Sequence, residues 1–175
     1  MKVAITGHTR GLGFACAMLF VNSEHTVLGL SRSNGYDIND TDKIIDAVRD
    51  CDVFINNAYD GQNQSILLDR LFSHWANTNK IIINIGSIIT VYPRLEKERD
   101  HEPWEYRDHK QSLEQTFRYL SLQPHTCQMQ LVSPGAIDTK MIAHLNCAKM
   151  QADNVAQIIY SVMFNPLIKE LTVYE

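Results

Sequence analysis

The chain of 175 residues is poor in several things, and each shortage closes off a class of function. It contains no run of lysine and arginine, and 16 basic residues face 20 acidic ones, for a net charge of −4. A surface that neutralises phosphates carries the opposite balance, which argues against nucleic acid as a partner. No apolar stretch approaches the roughly 20 residues that cross a bilayer, so no membrane partner is expected. The four cysteines (Cys16, Cys51, Cys127, Cys147) lie far apart with no C-x-x-C pair, and the seven histidines show no metal-ligand spacing. Cys16 and Cys51 therefore read as small core residues. A secretion leader is not expected either, because a strand and a glycine turn occupy the first residues. The reading is a cytoplasmic, reduced and metal-free protein.

What the chain does have is a 45% hydrophobic, 21% charged composition and enough length for one domain, residues 1–175, with a sizeable core. Its first 19 residues, MKVAITGHTRGLGFACAML, organise the rest. Lys2, Val3, Ala4 and Ile5 form an apolar run suited to a buried strand. Thr6 and Gly7 break it, Gly11 and Gly13 recur, and Phe14 to Leu19 reads as a helix. Strand, glycine turn and helix together hold a dinucleotide pyrophosphate: glycine lets the backbone approach, and the helix start offers free N–H groups. The spacing is G-x-x-x-G-x-G rather than G-x-G-x-x-G.

Beyond it, strand and helix alternate. Strands are expected at 25–30, 52–55, 80–85, 128–132 and 171–174, with a very short one at 36–38. Helices are expected after the caps at 40–42, over 66–75, 105–122 and 152–164, and a charged loop with two prolines at 90–105. This alternation predicts a doubly wound α/β domain of the Rossmann type, with a parallel sheet of about seven strands flanked by helices.

In such sheets the working residues sit at the carboxyl ends of strands. Asn56-Asn57, Ser87 and Pro134-Gly135 stand at three of these ends, and Tyr106 and Lys110, four apart, share a helix face. A free tyrosine has a pKa of about 10, and a neighbouring ammonium draws it toward neutrality, where proton transfer is efficient. Taken singly these are ordinary features: a solvated helix face, a turn, a cap. Taken in order, TGHTRGLG (6–13), NNAY (56–59), Ser87, YRDHK (106–110) and PGAIDT (134–139) resemble the short-chain dehydrogenase/reductase family. That family's hallmarks are T-G-x-x-x-G-x-G, N-N-A-G, a serine after the fifth strand, Y-x-x-x-K and P-G-x-x-x-T.

The resemblance implies an oxidoreductase that passes hydride between a nicotinamide cofactor and a small carbonyl or alcohol substrate. Tyr106 would be the acid/base, Lys110 would bind the nicotinamide ribose and lower the tyrosine pKa, and Ser87 would orient the substrate oxygen. Asn63 is the nearest match to an asparagine that holds a water of the proton relay. Thr6, Gly7, Thr9, Arg10, Gly11, Leu12 and Gly13 would cradle the cofactor, and Asn57 and Ala58 would line its adenosine side. Thr139 would contact its carboxamide or phosphate, beside Pro134, Gly135 and Ile137. The other reading is a dinucleotide-binding regulatory or scaffold protein without turnover; an epimerase fits the glycine spacing and the length poorly.

Ser31-Arg32-Ser33 carries no carboxylate where NAD would need one, and Arg32 with Arg10 suits the 2′-phosphate of NADP(H). Asp37 and Ile38 resemble the adenine-pocket pair. Three departures mark the chain as an unusually short member: Tyr59 stands for the last glycine of N-N-A-G, 19 residues separate Ser87 from Tyr106, and little lies between Thr139 and Ala152. The 90–105 loop, with Tyr92, Pro93, Arg94, Lys97, Arg99 and Trp104, is a candidate substitute lid. Family members commonly pair through their fourth and fifth helices, so the resemblance implies a homodimer or homotetramer, and the apolar breadth of Leu67, Leu68, Leu71, Phe72 and Trp75 on the fourth helix agrees with it.

Overall fold

The computed structural model describes residues 1–91, 104–144 and 146–174. Val3, Ala4 and Ile5 of β1 (Lys2–Thr6) are wholly buried, and the chain turns from that strand into α1 (Gly11–Asn22) and β2 (Thr26–Leu30). There follow α2 (Thr41–Ala47), β3 (Val53–Asn56), α3 (Asn63–Trp75), β4 (Ile81–Ile85) and α4 (Trp104–Ser121). The chain closes with β5 (Gln128–Pro134), α5 (Ala152–Met163) and β6 (Glu170–Val173). Every strand pairing is parallel, in the order β2-β1-β3-β4-β5-β6.

Alternation along the strands divides the core in two. Val3, Ile5, Ile55 and Ile83 share one cluster with Phe20 of α1 and Val155 and Ile159 of α5. Ala4, Phe54, Ile82 and Leu131 join Ile44 of α2, Leu67 and Leu71 of α3 and Phe117 of α4 on the other face. The strand order reverses at β1, which has β2 on one side and β3 on the other, the topological switch point at whose carboxyl ends ligands of such sheets bind.

Six strands are present among the described residues, not seven. Residues 36–38 make no strand because a 3-10 turn over Arg32–Asn34, left through Gly35 at φ +86°, leads almost directly to Asp40, which caps α2. Asp37 is spent on the Asn39 N–H (3.0 Å), and Ile38 drops into the core beside α2. The breadth of α3 also has a different cause from the one expected. Leu67, Leu68, Leu71, Phe72 and Trp75 are all buried within the chain itself, since α3 packs against the sheet and against α2 and α4 together. They offer nothing to a second subunit.

After Thr139 the chain makes one 3-10 turn (Lys140–Ile142) and returns to pair Ile137 with Met150. Residues 92–103, with most of the candidate lid, lie outside the described residues; Trp104 opens α4 and is half exposed. No helix among the described residues is long and apolar enough to cross a membrane, and no cluster of His, Cys, Asp and Glu there is arranged to hold a metal.

Candidate active site

The glycine turn is shaped by close backbone approach. Gly7 lies at φ +71°, a left-handed conformation that costs glycine little, and a Cβ on Gly13 would overlap the Gly7 carbonyl oxygen. Thr6 is buried beneath the turn and serves as a clamp: its Oγ1 accepts the N–H groups of Asn57 and Ala58, both at 2.9 Å. Asn57 Nδ2 donates to the Thr6 carbonyl at 2.9 Å. The ends of β1 and β3 are thereby locked side by side.

Thr139 completes the cradle from the segment after β5, its methyl 3.0 Å from where a Cβ on Gly11 would sit. Pro134 ends that strand, Gly135 donates its N–H to Val173 O at 2.7 Å, and Ile137 holds the return bridge. Arg10 gives α1 no side-chain cap, and the first turn of the helix carries no acid. Leu12 is buried, while Thr9 and Arg10 are exposed beside this uncapped helix start. An uncapped N-terminus over a glycine cradle fits a pyrophosphate.

Ser31, Ser33 and Asn34 are tied to one another in the turn after β2, which leaves the exposed Arg32 guanidinium without a carboxylate partner among the described residues; Arg10 has none either. Of the expected adenine-pocket pair, Ile38 is buried in the core and Asp37 accepts the Asn39 N–H through one carboxylate oxygen.

At the carboxyl end of β4, Ser87 caps a short 3-10 turn (Ile88–Thr90), and α4 brings Tyr106 to it. Burial pushes the Tyr106 phenol above its ordinary value, and a hydrogen bond with the Ser87 side chain partly opposes that shift. Lys110 is buried on the sheet-facing side of α4, and its Nζ donates to Gln64 Oε1 and to Ile85 O, both at 2.8 Å. Burial brings its pKa down to about 7, with the Glu114 carboxylate pulling the other way. The expected lowering of the tyrosine by its lysine is thus not what burial produces. The Nζ sits over the Tyr106 ring, 5.6 Å from its centroid, and the desolvated phenol holds its proton.

Two residues that the sequence reading passed over carry this arrangement. Gln64 Nε2 donates to Asn56 O (2.6 Å) and Ile85 O (3.0 Å), so its Oε1 is fixed toward Lys110. Asn63, one residue earlier, donates its amide to Asn39 Oδ1 and to Asp60 O. The signal for Gln64 was its place on the helical stripe of Leu67, Leu68 and Leu71, where a polar side chain is buried and needs partners. Glu114 has the same signature on α4. It accepts from Thr90 Oγ1 (2.6 Å) and from Ser133 Oγ (3.4 Å), joining the ends of β4 and β5.

No sequence-family model matches the chain, and no curated protein does. Solved structures do. A 3-ketoacyl-(acyl-carrier-protein) reductase from Brucella melitensis complexed with NADH superimposes with a TM-score of 0.80 at 16% identity, over 99% of this chain and 96% of that one. A short-chain dehydrogenase from Burkholderia cenocepacia in complex with NADP gives 0.76 at 19% identity, covering 98% and 86%. A 4-hydroxyisoleucine dehydrogenase complexed with NADH gives 0.78 at 16%, covering 99% and 96%. The fold is that of the short-chain dehydrogenases/reductases. The glycine cradle and the Ser87–Tyr106–Lys110 group stand at the carboxyl edge of the sheet, at the ends of β1 and β4 respectively.

Proposed function

We propose that the chain is an NADP(H)-dependent oxidoreductase that interconverts a carbonyl and an alcohol, with cofactor and substrate sites in one domain spanning residues 1–175. The observation that carries this reading is the meeting of a phenol, a serine hydroxyl and a buried lysine at the end of β4, across from an uncapped glycine cradle. The Arg10 and Arg32 guanidiniums, with no carboxylate against them among the described residues, support the phosphorylated dinucleotide.

When bound, the nicotinamide supplies or accepts the hydride. The chain's residues handle the proton and the geometry. Ser87 holds the substrate oxygen against the Tyr106 phenol. Burial keeps that phenol protonated at neutral pH, the form that gives its proton to the oxygen as a carbonyl becomes an alcohol. In the opposite direction Tyr106 takes the proton back. Lys110 is fixed by Gln64 and Ile85 beneath the Tyr59 and Tyr106 rings, and its remaining donor would turn round to the ribose hydroxyl of a bound cofactor. The close-packed glycine turn brings the free N–H groups of α1 to the pyrophosphate.

The test pairs fluorescence titration of NADPH and NADH with turnover on a panel of carbonyls and alcohols. NADPH should bind more tightly than NADH, and Arg32→Ala should reduce that preference. Tyr106→Phe should bind NADPH as the parent does and turn over slower by roughly 100-fold or more. Tight binding with no turnover on any substrate would favour the scaffold reading, and near-normal activity in Tyr106→Phe would remove Tyr106 from its role.

A further inference from the structure

Tyr59 stands where the resembling pattern keeps a glycine, and its side chain reaches into the site. Its backbone position is set by its neighbours, since Asn57 and Ala58 are clamped to Thr6 beneath the glycine turn. From there the ring is directed at the first turn of α4. It meets the Tyr106 ring edge-to-face, with centroids 4.8 Å apart and planes at 72°. Its hydroxyl lies 3.0 Å from His109 Nδ1. Residues 106 and 109 are neighbours on one helix face, so Tyr59 is held at both ends of a single turn.

That turn also carries Lys110. An ammonium has three donors, and Lys110 uses two of them on Gln64 Oε1 and Ile85 O. What else faces its Nζ is aromatic: the Tyr106 ring at 5.6 Å and the Tyr59 ring at 5.8 Å. Of the other groups packed around it, Gln64 and the Ile85 carbonyl are neutral, and Glu114 on α4 is the carboxylate.

We propose that Tyr59, pinned by His109, is a positioning residue for the Tyr106–Lys110 pair, walling Lys110 off from water on the β3 side. The consequence of the wall is chemical. Without it, solvent reaches the ammonium and the desolvation that holds the lysine near neutrality is relieved, so its pKa climbs toward the ordinary 10.5. The attraction of the Tyr59 ring for a cation works in the opposite sense. At 5.8 Å it is near the limit of about 6 Å for such contacts, so it is the weaker influence.

The inference rests on the proposed function only in giving the lysine a task; its test uses ligand-free protein and does not depend on that task. The Lys110 side chain is followed by NMR of isotope-labelled protein across pH 6 to 11, its resonance assigned by loss in Lys110→Met, with the midpoint of the shift as the readout. The parent should show a midpoint near 7. Tyr59→Gly should move it upward by at least one pH unit. Tyr59→Leu, which keeps out water without a π face, should leave it low, and His109→Ala should fall between. Circular dichroism identifies any variant that has not folded, and Tyr59→Ser then replaces Tyr59→Gly. Equal midpoints for the parent and the small-residue variant overturn the proposal. A shifted midpoint in a protein that binds no NADPH would leave it standing and remove the proposed function instead.

Discussion

Lys110 makes a residue-scale demand that the fold has to meet. A charged lysine is held in a buried site whose partners are one amide oxygen and one carbonyl oxygen, with Glu114 nearby. At about 1.4 kcal/mol per tenfold change in acidity, keeping it charged there costs on the order of several kcal/mol. The unfolded chain keeps this proton up to about pH 10.5, whereas the folded protein releases it near 7. Between those values the unfolded state binds the extra proton, so stability rises with pH across the window from 7 to 10.5; below 7 the whole cost is felt. Urea denaturation at pH 6.5 and pH 9 should show this rise, by up to about 1.4 kcal/mol per pH unit. Lys110→Met should flatten it, whatever the variant loses by leaving Gln64 Oε1 and Ile85 O unpaired. Parallel pH dependence in the two proteins would mean that the lysine is hydrated.

Among the elements, the glycine turn is the least tolerant. The Gly7 carbonyl that a Cβ on Gly13 would overlap is backbone, unable to rotate aside, and Asn57 Nδ2 stands on the same spot. Gly13→Ala should cost about 1–3 kcal/mol, as overpacking does. At this chain length that is a fall in Tm of roughly 2–12 °C, with dinucleotide affinity lowered at least tenfold. A variant that matches the parent in a thermal scan and in NADPH titration would show that the turn has room to spare. This element was legible in the sequence because its signal is local: apolar run, glycines, apolar helix. The same holds for the Ile81–Ile85 strand and for Tyr106 and Lys110, four apart on one helix. Residues 36–38 were misread for the converse reason. Tyr, Asp and Ile suit a strand end, but the Gly35 turn before them and the Asp40 cap after them leave no length for pairing. Gln64 was overlooked because its partners come from β3, β4 and α4, far away in the chain.

The whole molecule corrects one further reading. Breadth of apolar surface on α3 suggested a subunit contact only while a single sheet face was counted as its cover; three neighbours share the covering. Leu68→Ala should therefore cost about 2–5 kcal/mol in denaturant, as core truncations do, and leave the sedimenting mass of the folded protein unchanged. Ile66→Lys, on the exposed side of the same helix, should alter neither. A change of mass in the Leu68 variant without loss of stability would return α3 to an interface.

The six-strand order also governs how this protein behaves when concentrated. Its sheet ends in β2 on one rim and β6 on the other among the described residues, strands of five and four residues, the first interrupted by Gly29. A rim templates fibre growth by offering a long, flat row of unpaired amides to the next molecule, and short edge strands blunt that hazard. Arg118 adds a clasp across one rim, its guanidinium gripping Glu170 from α4 at 2.8 Å. Crowding should thus bring molecules rim to rim without giving them enough strand to zip.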